Sequence, residues 1–376
     1  MLLDDICRTL QADFAKKVRT ALEGLETWSE RELYYRRWYE LRHDEKALTA
    51  FFNTLDPHFR RKKHLITPEF LEQNKDGLFL QEAMFHTSDT IGKNVFLRKH
   101  HRYMPEFYHK HDFFEIVFVL HGQCTDTIAG ERISFPTGSL YFIAPETYHS
   151  IEMLEDSLVI YILVKRSTFE DVFINLLNPS DVISKFFMRN IYSKNVGYLA
   201  FNISNDTELL RLFLDMLVEQ SVSDKTSSRI MEMQFSILLS MLHRKYRNSP
   251  LVYEQVCIKS EYWEIIAHIH KNFRTLTHAK LAAQFDLSVA HCSRIIKSIT
   301  GKNFTTLVNN LRMNQARSML SQSCMTIYDI SFSLGYENLE TFIRNFKKMH
   351  GISPSQYQRE NLVEKAGKQA NAVIYI

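Results

Sequence analysis

The sequence predicts a multidomain α+β chain: an N-terminal helical extension, a strand-rich barrel, a helical connector and an all-α C-terminal unit. Three observations carry this. The chain has 376 residues, too many for one ordinary core. Its apolar pattern changes from helical spacing to short alternating runs near residue 94, and back near residue 167. From Gln255 onward fifteen Lys and Arg stand against eight Asp and Glu, a surplus of seven that leaves the rest at −4 within a net +3. The boundaries read from these changes are 1–88, 89–166, 167–254 and 255–360, with a tail at 361–376.

The composition is that of a globular protein, 45% hydrophobic and 24% charged, and 11 Gly with 8 Pro exclude collagen-like and low-complexity classes. Cys7, Cys124, Cys257, Cys292 and Cys324 are odd in number and lack Cys-x-x-Cys spacing, which fits a reduced compartment better than a disulfide framework. Asp4, Asp5, Arg8 and Asp13 interrupt any signal-peptide order, and no apolar run approaches the roughly 20 residues that span a bilayer. A cytoplasmic location without membrane attachment is the expectation.

In the extension, Leu3, Ile6, Leu10, Phe14, Val18 and Leu22 recur at three and four residues and give one helix an apolar face. Trp28 to Leu55 reads as a further helical stretch, ended by Asp56-Pro57. Its run Tyr34-Tyr35-Arg36-Arg37-Trp38-Tyr39 has the rings and cations to stack on bases. A helix with its rings inward and Arg stems at the rim is the preferred reading. Strands follow at Phe113 to Leu120, Thr125 to Ile128, Leu140 to Ile143 and Leu158 to Val164, punctuated by Gly122, Gly130, Gly138 and Pro145. Such spacing suits an antiparallel sandwich or barrel. In the connector, Leu209, Leu212, Phe213, Met216 and Leu217 form one stripe. Ile230, Met233, Ile237, Leu238, Met241 and Leu242 form another. The pair suits an internal bundle or a dimer interface.

The basic C-terminal portion holds two similar blocks. Leu281-Ala282 lies on a helix that ends near Asp286-Leu287; Ser288 then caps Val289 to Ile299, which stops before Gly301. In the second block Ile327 to Leu334 is followed by a turn at Gly335, and Asn338 caps Leu339 to His350. Two short helices around a small turn are the layout of a helix-turn-helix.

These residues carry a resemblance over roughly 100 positions. Ser293-Arg294-x-x-Lys297-x-x-x-Gly301, Arg312-x-x-x-Ala316-x-x-x-Leu320, Ile327-x-x-Ile330 and Leu334-Gly335-Tyr336 resemble the AraC/XylS DNA-binding domain. So does the close, Phe342-x-x-x-Phe346-Lys347 and Gly351-Ile352-Ser353-Pro354-Ser355-x-Tyr357. Ile296, Ser331 and Gln358 depart mildly from the usual pattern. The resemblance implies an all-α double helix-turn-helix DNA-binding domain whose recognition helices enter successive major grooves of double-stranded DNA, about 34 Å apart. Ala290, His291, Ser293 and Arg294 on the first helix are then placed toward DNA, with Lys297 beside them. Asn338, Glu340, Thr341 and Arg344 are the counterparts on the second, with Lys347 and Lys348 set for phosphates. Arg294 bidentate to a guanine would add about 1–3 kcal/mol of discrimination.

A second resemblance lies in His109-x-His111-x-x-x-Glu115 with Gly122, then Gly138-Ser139 and Pro145-Glu146-Thr147-Tyr148-His149. It is similar to the cupin motif pair, which implies a cupin-like β-barrel acting as sensor. In metal-dependent cupins the positions of His109, His111, Glu115 and His149 hold the ion, and alternate residues on one strand share a face, so these side chains can converge. Ala144, Glu146 and Met153 replace the usual Pro, Gly and Asn. The degraded second motif disfavours a metal; a small-molecule effector pocket formed by His109, His111, Glu115, Tyr141 and His149 is expected, with no cofactor. A purely structural histidine network is the third reading.

The resulting expectation is a sequence-specific transcription regulator, an activator touching RNA polymerase, homodimeric through connector or barrel, with no catalytic residues and no enzymatic activity. Two competitors are a metal-dependent cupin enzyme with a DNA-binding tail, and a regulator governed by a protein partner through a scaffold-only barrel.

Overall fold

Helices open the chain. α1 (Ala12–Glu26), α2 (Glu30–Leu41), α3 (Glu45–Thr54) and α4 (Pro68–Gln73) follow one another, the last three each started by a side-chain cap at Ser29, Asp44 or Thr67. The computed structural model describes residues 12–55, 65–82, 93–154, 157–174, 182–192, 197–222, 224, 226–246, 251–254, 261–322 and 325–359. Leu3, Ile6 and Leu10 of the first predicted stripe, and Cys7, Cys257 and Cys324, lie outside them. The described residues form two compact units, one before residue 258 and one from there on.

Within α2 the rings turn inward. Tyr34 and Tyr35 are buried and exchange hydrogen bonds with the backbone of Ile66, while Arg36 and Arg37 stay outside on Glu40. The same helix is held by Glu32. Its carboxylate completes a capping box with Ser29 and also receives Lys99 Nζ at 2.8 Å and the Arg102 backbone N–H at 3.2 Å. Arg102 further lies over the Trp28 ring and donates to the Glu26 carbonyl.

The barrel is built from two sheets, and the central strands of the larger one are buried on both faces. β1 (Leu78–Leu80), β3 (His109–His111), β8 (His149–Glu152), β5 (Gln123–Ile128) and β6 (Glu131–Pro136) form one sheet in that order. β11 (Leu251–Glu254), β10 (Gly197–Asn202), β7 (Ser139–Ile143), β4 (Phe114–His121), β9 (Leu158–Val164) and β2 (Val95–Lys99) form the other. Among the described residues the pairings are antiparallel except that of β1 with β3. Val117, Val119, Ile128, Tyr141, Ile151, Met153 and Val159 come from both sheets into one buried cluster, so the sheets face each other.

The strands reach beyond 89–166. β1 comes from the stretch read as helical extension, and β10 and β11 come from the stretch read as helical connector. A six-residue apolar run such as Gly197 to Asn202 has no decisive period; pairing with β7 decides it, with Ala200 opposite Tyr141.

Outside the larger sheet, Phe114, Phe118 and Phe142 meet α5 (Arg166–Ile174), α6 (Val182–Tyr192) and α7 (Thr207–Val222), with Phe114 stacked on Phe169 at 3.7 Å. Each ring so buried contributes about 1.5–3 kcal/mol. α8 (Ser227–Tyr246) packs through Met231, Phe235, Leu238, Leu239 and Leu242. The stripe read from the sequence is thereby split: Leu238 and Leu242 are inside, but Ile230, Met233 and Ile237 remain exposed. A twenty-residue helix with apolar residues on two sides buries one of them, and Phe235 marks the buried side by meeting Phe169 of α5.

Among the described residues the second unit's regular elements are helices: α9 (Glu261–Asn272), α10 (His278–Gln284), α11 (Val289–Thr300), α12 (Phe304–Gln322), α13 (Ile327–Ser333) and α14 (Leu339–His350), with helical residues again at 354–359. Ser288 accepts from the His291 N–H and Asn338 from those of Glu340 and Thr341, as their cap positions predict. Gly301 and Gly351 end the two recognition helices in the left-handed region.

Candidate functional site

Register builds the barrel's polar pole. His109 lies opposite His149 on β3 and β8, while Glu115 enters from β4 of the facing sheet. All four sequence-predicted residues, His109, His111, Glu115 and His149, are buried. The rings of His109 and His149 are 4.1 Å apart and those of His111 and His149 5.2 Å. Each imidazole is pinned through Nδ1, which donates to the carbonyl of Phe107, Phe113 or Thr147 for His109, His111 and His149 in turn. The Nε2 atoms therefore face inward. Glu115 stands 3.5 Å from His149 Nε2 and 3.8 Å from His111 Nε2. Among the described residues neither of those nitrogens has a hydrogen-bond partner.

Charge is distributed unevenly here. Burial pushes the Glu115 carboxyl up, but the facing imidazoles of His149, His111 and His109 pull it further down, to about 2. Burial drives His111 down to about 4 and His109 well below its ordinary value. His149 moves the other way: burial lowers it, and Glu115 with Asp126 raises it more. The pole thus holds one carboxylate against one imidazole that favours its proton.

Tyr141 is present but stands one layer away. It donates to Asp126 at 3.2 Å, stacks on Phe135 and reaches Cys124 Sγ at 3.6 Å. Asp126 was not singled out from the sequence, although it alternates with Cys124 and Ile128 on β5 and so shares their inward face. Burial raises its carboxyl to about 7, with Glu115 adding to the rise and His149 opposing it. Its Oδ1 is buried with no hydrogen-bond partner among the described residues. His100, bonded to the Tyr161 hydroxyl, is a further buried imidazole that motif reading did not reach. Three pinned imidazoles, two buried carboxyls and a phenol can hold a polar ligand by several directed hydrogen bonds, or can supply nitrogen and oxygen donors to a metal.

In the second unit each recognition helix divides cleanly. On α11, Cys292, Ile295, Ile296 and Ile299 are core, leaving Ala290, His291, Arg294 and Lys297 exposed and Ser293 half-buried. On α14, Phe342 and Phe346 are core, while Asn338, Glu340, Arg344, Lys347 and Lys348 are exposed and Thr341 half-buried. Asn338 is already committed through its side-chain oxygen to the helix cap, so only its amide N–H groups face outward as donors. Arg312, counted among the bases, points inward instead. It donates to the carbonyls of Phe273 and Arg274 and lies over the Tyr336 ring, fastening the first block to the turn of the second.

A double-sheet barrel with a polar pole and two exposed recognition helices define a DNA-binding transcriptional regulator that carries a ligand-binding domain. Residues 281–360 match the helix-turn-helix domain model, and residues 95–163 match that of the AraC-like ligand binding domain. Across these two segments the chain is similar to transcriptional regulators of the AraC type. It is 25% identical to the transcriptional activator RhaS of Mannheimia succiniciproducens over 66% of this chain and 87% of that protein. It is 35% identical to the regulator YtdP of Bacillus subtilis over 26% of this chain, a match that spans only 13% of YtdP. Among solved structures, the C-terminal domain of the response regulator yesN from Fusobacterium nucleatum is 27% identical, covering 27% of this chain and 99% of its own, with a TM-score of 0.26. ToxT from Vibrio cholerae is 14% identical, covering 70% of this chain and 97% of its own, with a TM-score of 0.29. No helix among the described residues is long and apolar enough to cross a membrane.

Proposed function

We propose that this chain activates transcription in response to a small polar molecule held at the barrel's polar pole. The supporting observation is that both recognition helices keep their apolar side in the core and leave Arg294 and Arg344 on the open side, behind intact caps. In this reading Arg294 and Arg344 read base edges, with Ala290, His291, Ser293, Asn338, Glu340 and Thr341 beside them. Lys297, Lys347 and Lys348 neutralise phosphates. The effector is bound by His109, His111, Glu115 and His149, with Tyr141 acting through Asp126. It governs DNA binding only by preferring one conformational state over another. The exposed residues Ile230, Met233 and Ile237 on α8 suit a homodimer contact, which would match paired half-sites. RNA polymerase would be the activator's partner, and the cytoplasm its place of action.

The test is genome-wide crosslinking and sequencing of bound DNA with the wild type, Arg294→Ala and Arg344→Ala. Paired boxes shared in the wild type and relaxed at one position in each variant are expected. Enrichment that neither substitution changes would remove the direct-readout model.

One observation favours a second occupant for the pole, a divalent transition metal. One donor atom each of His109, Glu115 and His149 lies within 4.8 Å of the others, and the Nδ1 pinning that frees each Nε2 is the outer-shell arrangement of metal-bound histidine. The donor set fits such an ion. Elemental analysis of purified wild type and His149→Ala separates the two: a stoichiometric metal lost in the variant selects the metal reading, its absence from both the effector reading.

A further inference from the structure

The smaller sheet has a second concavity on its outer face, away from the imidazole pole. On β8, His149 and Ile151 point into the barrel, so Ser150 and Glu152 point out. A cavity of about 230 Å³ opens there, walled on one side by Tyr35, Trp38 and Tyr39 of α2 and on the other by Tyr103 and Leu154. An engineered cavity of about 150 Å³ holds benzene. This one has room for a ring and charged groups beside it.

Its two walls differ in charge. Arg42, at the end of α2, lies over the Tyr39 ring at 3.5 Å. On the barrel side Glu106 and Glu152 share the single guanidinium of Arg132, at 3.4 and 2.5 Å, leaving an excess carboxylate. Tyr103 is held at φ +59, a conformation unusual for a bulky side chain, by its N–H to the Met153 carbonyl at 2.8 Å. Backbone kept in that region concentrates where a ligand is clamped.

We propose that this cavity binds a small zwitterion with an apolar body, a free aromatic amino acid being the fitting class. Its carboxylate meets Arg42, its ammonium meets Glu106 and Glu152, and its ring lies among Trp38, Tyr39 and Tyr103. A simple carboxylate would lack a partner for the Glu pair, and a simple amine would face Arg42. The site is separate from the barrel-interior effector site and does not rest on it.

Isothermal titration of the full chain with L-phenylalanine, phenethylamine and hydrocinnamate tests this. L-Phenylalanine is expected to bind saturably, with both half-ligands at least about tenfold weaker, the loss of one charge-assisted contact. Arg42→Ala should weaken L-phenylalanine about tenfold and leave phenethylamine unchanged, whereas Glu152→Gln should weaken both. Trp38→Phe should remove the accompanying fluorescence change while retaining the binding heat. Circular dichroism and melting curves matching the wild type establish that each variant is folded. Absence of saturable L-phenylalanine binding, or phenethylamine binding as tightly as L-phenylalanine, overturns the proposal.

Discussion

Gly335 sits at φ +81, between α13 and α14, and a methyl group there would overlap the carbonyl oxygen of Arg274, the same oxygen that receives Arg312. Gly301, at φ +65, has open space around it. Comparing the two separates backbone preference from close approach. Gly301→Ala is expected to destabilise the helical unit by about 1 kcal/mol, and Gly335→Ala by at least about 2 kcal/mol more, in urea unfolding of the full chain. Equal losses would show that the Arg274 contact yields freely. The signature Leu334-Gly335-Tyr336 marked the turn in the sequence. That Arg312 would close over it was not visible, because an arginine in a basic segment reads first as a phosphate contact.

At the scale of the element, α14 sorts its cations by position. Arg344 stands mid-helix on the exposed side, and Lys347 with Lys348 occupies the last turn, where they also complement the helix dipole. Two different losses follow. Lys347→Ala and Lys348→Ala are each expected to lower the salt slope of DNA binding by about 0.9, with little change in preference among sequences. Arg344→Ala should instead cost about 1–3 kcal/mol at one base position. Binding measured across a salt series on matched and mismatched sites distinguishes them; identical slopes in all three variants would remove the phosphate role of the lysines. Capping residues and core periodicity of this helix were legible in sequence, since both are local. α8 was less legible, because its apolar residues exceed what one face can bury, and only the elements packed against it select the inner set.

For the whole molecule, Glu32 ties the N-terminal helices to the barrel. Burial raises its carboxyl, yet Lys99 and the N–H groups of Ser29 and Arg102 lower it more, so its net shift is downward from about 4.5. A carboxyl depressed in the folded state stabilises above its unfolded value and loses that contribution as pH falls through the folded one. Lys99, itself lowered by burial, remains protonated throughout this acid window and adds no slope. An acid-induced loosening below about pH 4.5 is therefore expected, seen as proteolysis between α2 and the barrel. Glu32→Gln should show that sensitivity already at neutral pH, with a stability loss of about 3–5 kcal/mol from stranding the buried cations. Unchanged acid behaviour in the variant would exclude Glu32 as the tie.

The caps at Ser288 and Asn338 and the motif that singles out His109, His111, Glu115 and His149, four side chains that the fold buries, were legible along the chain, because caps and motif spacing are properties of neighbours in sequence. Only the tertiary fold brought β1, β10 and β11 into the sheets, set Asp126 near His149, and turned Arg102 and Arg312 into internal ties. Strand pairing and side-chain burial are set between residues distant in the chain, and a short apolar run or a single charged residue does not name its partner until the sheets and helices have met.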